Sequence, residues 1–98
     1  MTTRAETRTP KWQVYIVQTA SGLLYTGIST DPVRRLREHI QGRKGARSLR
    51  GKGPMQIVFL ADAADRSAAS ILEARIKRLS KARKLQLVRG EFTLLPVS

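Results

Sequence analysis

The chain contains no cysteine and a single histidine, and this constrains its fold more than any one segment does. No disulfide framework, thiolate metal site or cysteine nucleophile is available. A multi-histidine metal site is excluded as well. The fold therefore rests on an apolar core drawn from 98 residues, enough for one small domain and too few for two. A folded chain of this size buries roughly 65% of the surface its unfolded form exposes, so the core is thin but sufficient. The longest apolar run, Ile57 to Ala61, is far short of the ~20 residues a membrane span needs. Nothing near the N-terminus reads as a signal-peptide core, and a cytoplasmic location is expected.

Patterning gives the order of elements. Residues 1–10 are polar, close with Pro10 and read as a flexible tail. Trp12 to Val17 is rich in aromatic and β-branched residues and predicts a strand. Its Trp12, Val14 and Ile16 share one face; Gln13, Tyr15 and Val17 share the other. Ser21-Gly22 supplies turn chemistry, and Leu23 to Thr26 predicts a second strand ended by Gly27, completing an antiparallel hairpin. Tyr15 and Tyr25 fall on its two strands, and a shared face depends on the register. Asp31 and Pro32 suit the cap and first position of a helix with Val33, Leu36 and Ile40 as its apolar stripe. Arg35 and His39 stand one turn apart on its flank. Gly42, Gly45, Gly51 and Gly53 punctuate a basic loop. Met55 to Leu60 predicts a third strand. Asp65 caps a second helix with Ala68, Leu72, Ile76 and Leu79 buried and Glu73 beside that face. Ser80 caps a short helix, Lys81 to Val88, with Leu85 and Val88 inward and Gly90 as its stop. Residues 91–98 read as a C-terminal extension, either packed or forming an edge strand. The expected architecture is α+β, a three-stranded antiparallel sheet flanked by about three helices in the order β-β-α-β-α-α, with one domain over residues 11–90.

Charge points to a partner. Nineteen Lys and Arg stand against seven Asp and Glu, a formal net charge of +12. That balance on a short chain is the footprint of a polyanion binder. The charge is clustered on residues 33–53 and 75–84. Arg34, Arg43, Lys44, Arg47, Arg50, Lys52, Lys77, Arg78, Lys81 and Lys84 are the candidate phosphate-tracking residues. Nucleic acid is the expected partner. No membrane partner is expected, and the oligomeric state is left open.

Taken singly, the chemical residues have ordinary structural readings. A strand tyrosine is commonly half-buried packing. A helical Glu73 with Lys77 at i+4 is an ion pair worth a few tenths of a kcal/mol. In combination they are more specific: both tyrosines of the chain lie on the hairpin, an Arg-x-x-x-His helix follows, and a glutamate sits on a later helix. On Val14-Tyr15-Ile16, Tyr25-Thr26-Gly27, DPVRRLREH (31–39), GRKGARSLRGKGP (42–54), DRSAA (65–69) and LEARIKRLSKARK (72–84), the chain resembles the GIY-YIG nuclease superfamily. The likeness is greatest to its small stand-alone bacterial branch, sometimes called YhbQ-like, and spans roughly residues 12–90. The first half of the name motif reads Gln13-Val14-Tyr15, without its glycine. The second reads Tyr25-Thr26-Gly27, with threonine in the middle.

The resemblance implies a phosphodiester-cleaving site, with DNA as the expected partner and RNA as the alternative. Tyr15 matches the first motif tyrosine, a general base or water activator, and Tyr25 the second, a hydrogen-bonding partner. Arg35 matches the catalytic arginine, His39 a site histidine, and Glu73 the carboxylate that binds one divalent metal, Mg²⁺ or Mn²⁺. The chemistry suits these side chains. An Arg fork pairs with nonbridging phosphate oxygens, and a metal on one carboxylate neutralises the leaving oxygen. A single carboxylate suits Mg²⁺, which keeps most of its waters. As base, Tyr15 competes with His39, whose reference pKa near ~6.5 needs no help. The expected function is a metal-dependent endonuclease in DNA repair or processing, selective for structure rather than sequence. The alternatives are a non-catalytic basic DNA- or RNA-binding protein with the same fold and, more remotely, a basic amphipathic helix over 75–84 that meets an anionic membrane or an acidic partner.

Overall fold

The computed structural model describes residues 11–41 and 54–94. The tail 1–10, the basic loop with Arg43, Lys44, Arg47, Arg50 and Lys52, and the last four residues lie outside them. The elements are β1 (Trp12–Thr19), β2 (Leu24–Ser29), α1 (Pro32–Gln41), β3 (Met55–Ala63), α2 (Arg66–Lys77) and α3 (Lys81–Val88). The sheet is antiparallel throughout, in the order β2-β1-β3. The most aromatic and β-branched segment is thus the central strand, and Val14, Tyr15, Ile16 and Val17 are all buried.

Alternation along β1 divides the molecule into two layers. On one face Val14 and Ile16 form a cluster with Ala69 and Ile76 of α2 and Leu87 of α3, and Trp12 packs against it. On the other, Tyr15 and Val17 pack with Tyr25, Met55, Ile57 and Leu36 of α1. A bulge between Ile16 and Val17 shifts the pairing with β3, so that Ile16 faces Phe59 while Val17 faces Ile57. The adjacent Val58 and Phe59 consequently both reach the Val14–Ile16 cluster.

The caps form as expected. Asp65 accepts from the Ala68 amide at 2.8 Å, Ser80 from Arg83 at 3.2 Å, and Asp31 from Arg34 at 3.2 Å. Past α3, the Gly90 amide bonds the Leu87 carbonyl and the Glu91 amide bonds that of Gln86. With Gly90 at φ +78°, this is a Schellman closure, which requires the left-handed conformation. Residues 91–94 form no strand; Phe92 and Leu94 pack on the core, with Arg83 4.0 Å from the Phe92 ring centre.

Several expectations are corrected. β2 does not stop at Gly27 but runs on to Ser29, because Gly27 keeps its place opposite Tyr15 in the ladder. β3 continues three residues past Leu60. On α2, Ala69 rather than Ala68 is fully buried, and on α3 Leu87 is the most buried residue, with Val88 packed against the same cluster as expected. The largest correction concerns α1. Val33 and Ile40 are 55% and 52% exposed, while Pro32 and His39 are buried and Leu36 packs inward. The helix turns its 32–36–39 side to the sheet, where His39 gives the buried Tyr15 hydroxyl a hydrogen-bond partner.

Candidate active site

The register decides what the hairpin left open. Tyr15 pairs with Gly27 and Val17 with Tyr25, so the two tyrosines are diagonal neighbours on one face. α1 crosses that face and delivers Arg35 and His39 one turn apart. The Tyr15 hydroxyl lies 3.2 Å from His39 Nε2 in a buried hydrogen bond. The Tyr25 ring meets the imidazole edge-on, with centroids 5.3 Å apart. Tyr25 therefore enters the cluster through a ring contact.

Arg35 brings a positive charge near the phenol and is itself held by a carboxylate. Its charge acts on the phenol and lowers its pKa, and its Nη1 donates to Glu38 Oε1 at 2.6 Å. A second Glu38 oxygen stands 3.8 Å from Arg34 Nε. Sequence reading passed over Glu38. Its signal was the i+3 spacing from Arg35, which allows a side chain on the same helix to hold the guanidinium.

Burial dominates the proton equilibria here. It pushes the Tyr15 phenol above its ordinary value of 10.0, with the Tyr25 hydroxyl and the Glu73 charge adding to the rise and Arg35 opposing it. It pulls the His39 imidazole below 6.5; Arg35 lowers it further and Glu38 opposes both. At neutral pH the pair is a protonated phenol beside a neutral imidazole.

Glu73 arrives from α2, the layer behind the sheet, near enough for its charge to act on Tyr15. Its carboxylate is paired with Lys77 Nζ at 3.2 Å. Among the described residues no cluster of three or more His, Cys, Asp or Glu is placed to hold a metal ion. A lone, partly exposed carboxylate fits a hydrated divalent ion that takes its remaining ligands from water and a substrate phosphate. It does not fit a closed protein cage. The sheet and helices thus bring Tyr15, Tyr25 and His39 into contact and set Arg35 and Glu73 within electrostatic range. Of the candidate phosphate-tracking residues inside the described range, Arg34, Lys77, Arg78 and Lys81 are exposed and Lys84 is half-buried.

Comparison with known proteins gives a consistent picture. The GIY-YIG catalytic domain model matches residues 11–86. A UPF0213 protein of Aeromonas salmonicida is 56% identical over 78 residues, covering 80% of this chain and 57% of that relative. One of Yersinia pestis is 54% identical over 84 residues, covering 86% of this chain and 87% of the relative. The solution NMR structure of the UPF0213 protein BH0048 from Bacillus halodurans is 38% identical with a TM-score of 0.52, covering 81% of this chain and 83% of that one. That of the protein EF2693 from E. faecalis is 29% identical with a TM-score of 0.59, covering 85% and 88%.

Proposed function

The chain belongs to the GIY-YIG family, and from that premise we propose that it is a divalent-metal-dependent endonuclease that hydrolyses phosphodiester bonds in DNA. The observation that carries this reading is the buried cluster in which the Tyr15 phenol bonds the His39 imidazole, with the Arg35 charge acting on the same phenol. Each member has a role that its environment suits. The phenol keeps its own proton at neutral pH, so Tyr15 alone is a poor base. Neutral His39 accepts that proton at Nε2 while the phenol oxygen takes one from the attacking water. Arg35, held by Glu38, presents paired donors to the nonbridging phosphate oxygens, where charge develops. Tyr25 packs its ring against the imidazole and fixes its plane. Glu73 would hold the metal ion, which supplies Lewis-acid neutralisation of the leaving oxygen when bound.

Substrate choice follows from charge. The net charge of +12 and the cationic residues of α1, α2 and α3 favour recognition of the phosphate backbone and of DNA shape over base sequence. A role in DNA repair or processing accords with such selectivity. The alternative is a basic nucleic-acid binder that no longer cuts. It is favoured by the Lys77 ammonium already paired with Glu73.

The test is cleavage of labelled duplex, single-stranded, nicked, forked and RNA substrates, with Mg²⁺ or Mn²⁺ and with EDTA. Metal-dependent products are expected from the wild type, reduced on the order of 10²–10³-fold in Arg35→Ala, the scale of losing a transition-state donor. Glu73→Ala is expected to abolish the response to metal. Salt-sensitive binding without products under any metal would replace the nuclease with the binder, and full cleavage by both variants would overturn the site.

A further inference from the structure

Gly27 sits in the middle of β2 with nothing in its backbone to require glycine. Among the described residues only Gly22 and Gly90 have positive φ, so Gly27 has a dihedral that any residue adopts. Glycine weakens a strand interior through its entropy and its missing side chain. Its presence therefore has to be explained by what occupies the space above it. That occupant is the Tyr15 phenol. A methyl group on Gly27 would stand 2.6 Å from the Tyr15 oxygen, 2.7 Å from Cζ and 3.2 Å from Cε2. These are overlaps and not contacts. Nor can the phenol yield cheaply: Tyr15 is 1% exposed, and its hydroxyl is engaged with His39.

We infer that Gly27 is a positioning residue, whose bare α-carbon is the seat on which the Tyr15 ring lies so that its hydroxyl reaches His39. Residue 27 touches no reacting atom. It acts through Tyr15: any side chain there lifts the ring from the strand and separates the hydroxyl from Nε2. The pairing of Tyr15 with Gly27 across the ladder makes the two positions one unit. A tyrosine on β1 can lie flat over its neighbour only where that neighbour has no side chain. The catalytic consequence rests on the nuclease reading above, whereas the geometric claim does not.

A double-mutant cycle separates the two. Gly27→Ala alone is expected to lower the unfolding midpoint on the order of 10 °C, as overpacking of a small domain does. In NMR titration its His39 pKa should rise toward the ordinary range, because water enters where the phenol was. In a Tyr15→Ala background the sign should reverse, and Gly27→Ala should leave the midpoint unchanged or raise it, since alanine suits a strand better than glycine. If Gly27→Ala does not fold while the double variant does, the inference is equally supported. An equal loss of midpoint in both backgrounds, a double variant unfolded where Tyr15→Ala folds, or an unmoved His39 titration in Gly27→Ala would overturn it. None of these readouts involves cleavage. A chain that never cuts DNA yet shows the sign reversal would refute the nuclease reading and leave the seat intact.

Discussion

His39 occupies the position from which the rest of the cluster is organised. It is fully buried, bonds Tyr15 at 3.2 Å and receives the edge of Tyr25. Its pKa lies below 6.5 because burial and the Arg35 charge both disfavour the imidazolium. The sign for stability follows. In the unfolded chain the imidazole takes up a proton near 6.5, while in the fold it does so only at lower pH. Between those values the unfolded state binds more protons, so stability falls as pH falls below about 6.5. Urea midpoints of the wild type and His39→Gln measured from pH 7.5 down to pH 5 should therefore diverge, the wild type losing more. Parallel curves would show that His39 contributes no linkage. Cleavage, if His39 takes the phenol proton, should decline over that same acid range and not above it. Thr26, where this chain departs from the isoleucine of the family motif, faces the other layer opposite Ile16. Its hydroxyl is buried without a hydrogen-bond partner, a local cost of burying a polar group.

At the scale of elements, the informative case is α1. Apolar spacing alone assigns Val33, Leu36 and Ile40 to its inner face, yet two of the three are more than half exposed. The stripe that turns inward carries Pro32, Leu36 and His39, with Arg35 beside it. Helix α2 behaves conventionally: Ala69 and Ile76, seven apart, are both fully buried. The contrast gives a direct expectation. Ile76→Ala should cost about 2–5 kcal/mol, the range for emptying a packed core site. Ile40→Ala should fall within ~0.5 kcal/mol of the wild type, as surface substitutions do. Denaturant unfolding of the two variants measures both; a large loss at Ile40 would mean that α1 packs in the orientation its apolar spacing suggests.

Across the whole molecule, the sheet separates two tasks. One face carries the Val14–Ile16 cluster under α2 and α3 and holds the domain together; the other carries Tyr15, Tyr25 and α1. Lys81 and Lys84 lie on α3, which packs on the opposite face of the sheet from Tyr15, and serve to test charge apart from chemistry. If they track phosphates, a Lys81→Ala/Lys84→Ala variant should bind duplex DNA more weakly. The slope of log K against log salt should also be shallower by up to about 2, near one for each phosphate left unneutralised. An unchanged slope would remove α3 from the interface. No helix among the described residues is long and apolar enough to cross a membrane.

Local chemistry was enough for the sequence alone to determine the element order, the caps at Asp31, Asp65 and Ser80, the stop at Gly90 and the two faces of β1. These depend on residues within a turn or two of one another. The candidate site residues were legible only because a motif resemblance joined segments far apart in the chain. Tertiary structure alone decided the register that puts Tyr15 and Tyr25 on one face, the rotation of α1 that buries His39, the grip of Glu38 on Arg35 and the seating of Tyr15 over Gly27. Each of these is a contact between side chains brought together by strand pairing or helix docking, and hydrophobic spacing carries no information about which polar group another element will present. For α1, the side that meets the sheet gives one buried phenol its hydrogen-bond partner while Val33 and Ile40 stay more than half exposed, because an unpartnered polar group inside the fold is costly and single apolar side chains at a surface are ordinary.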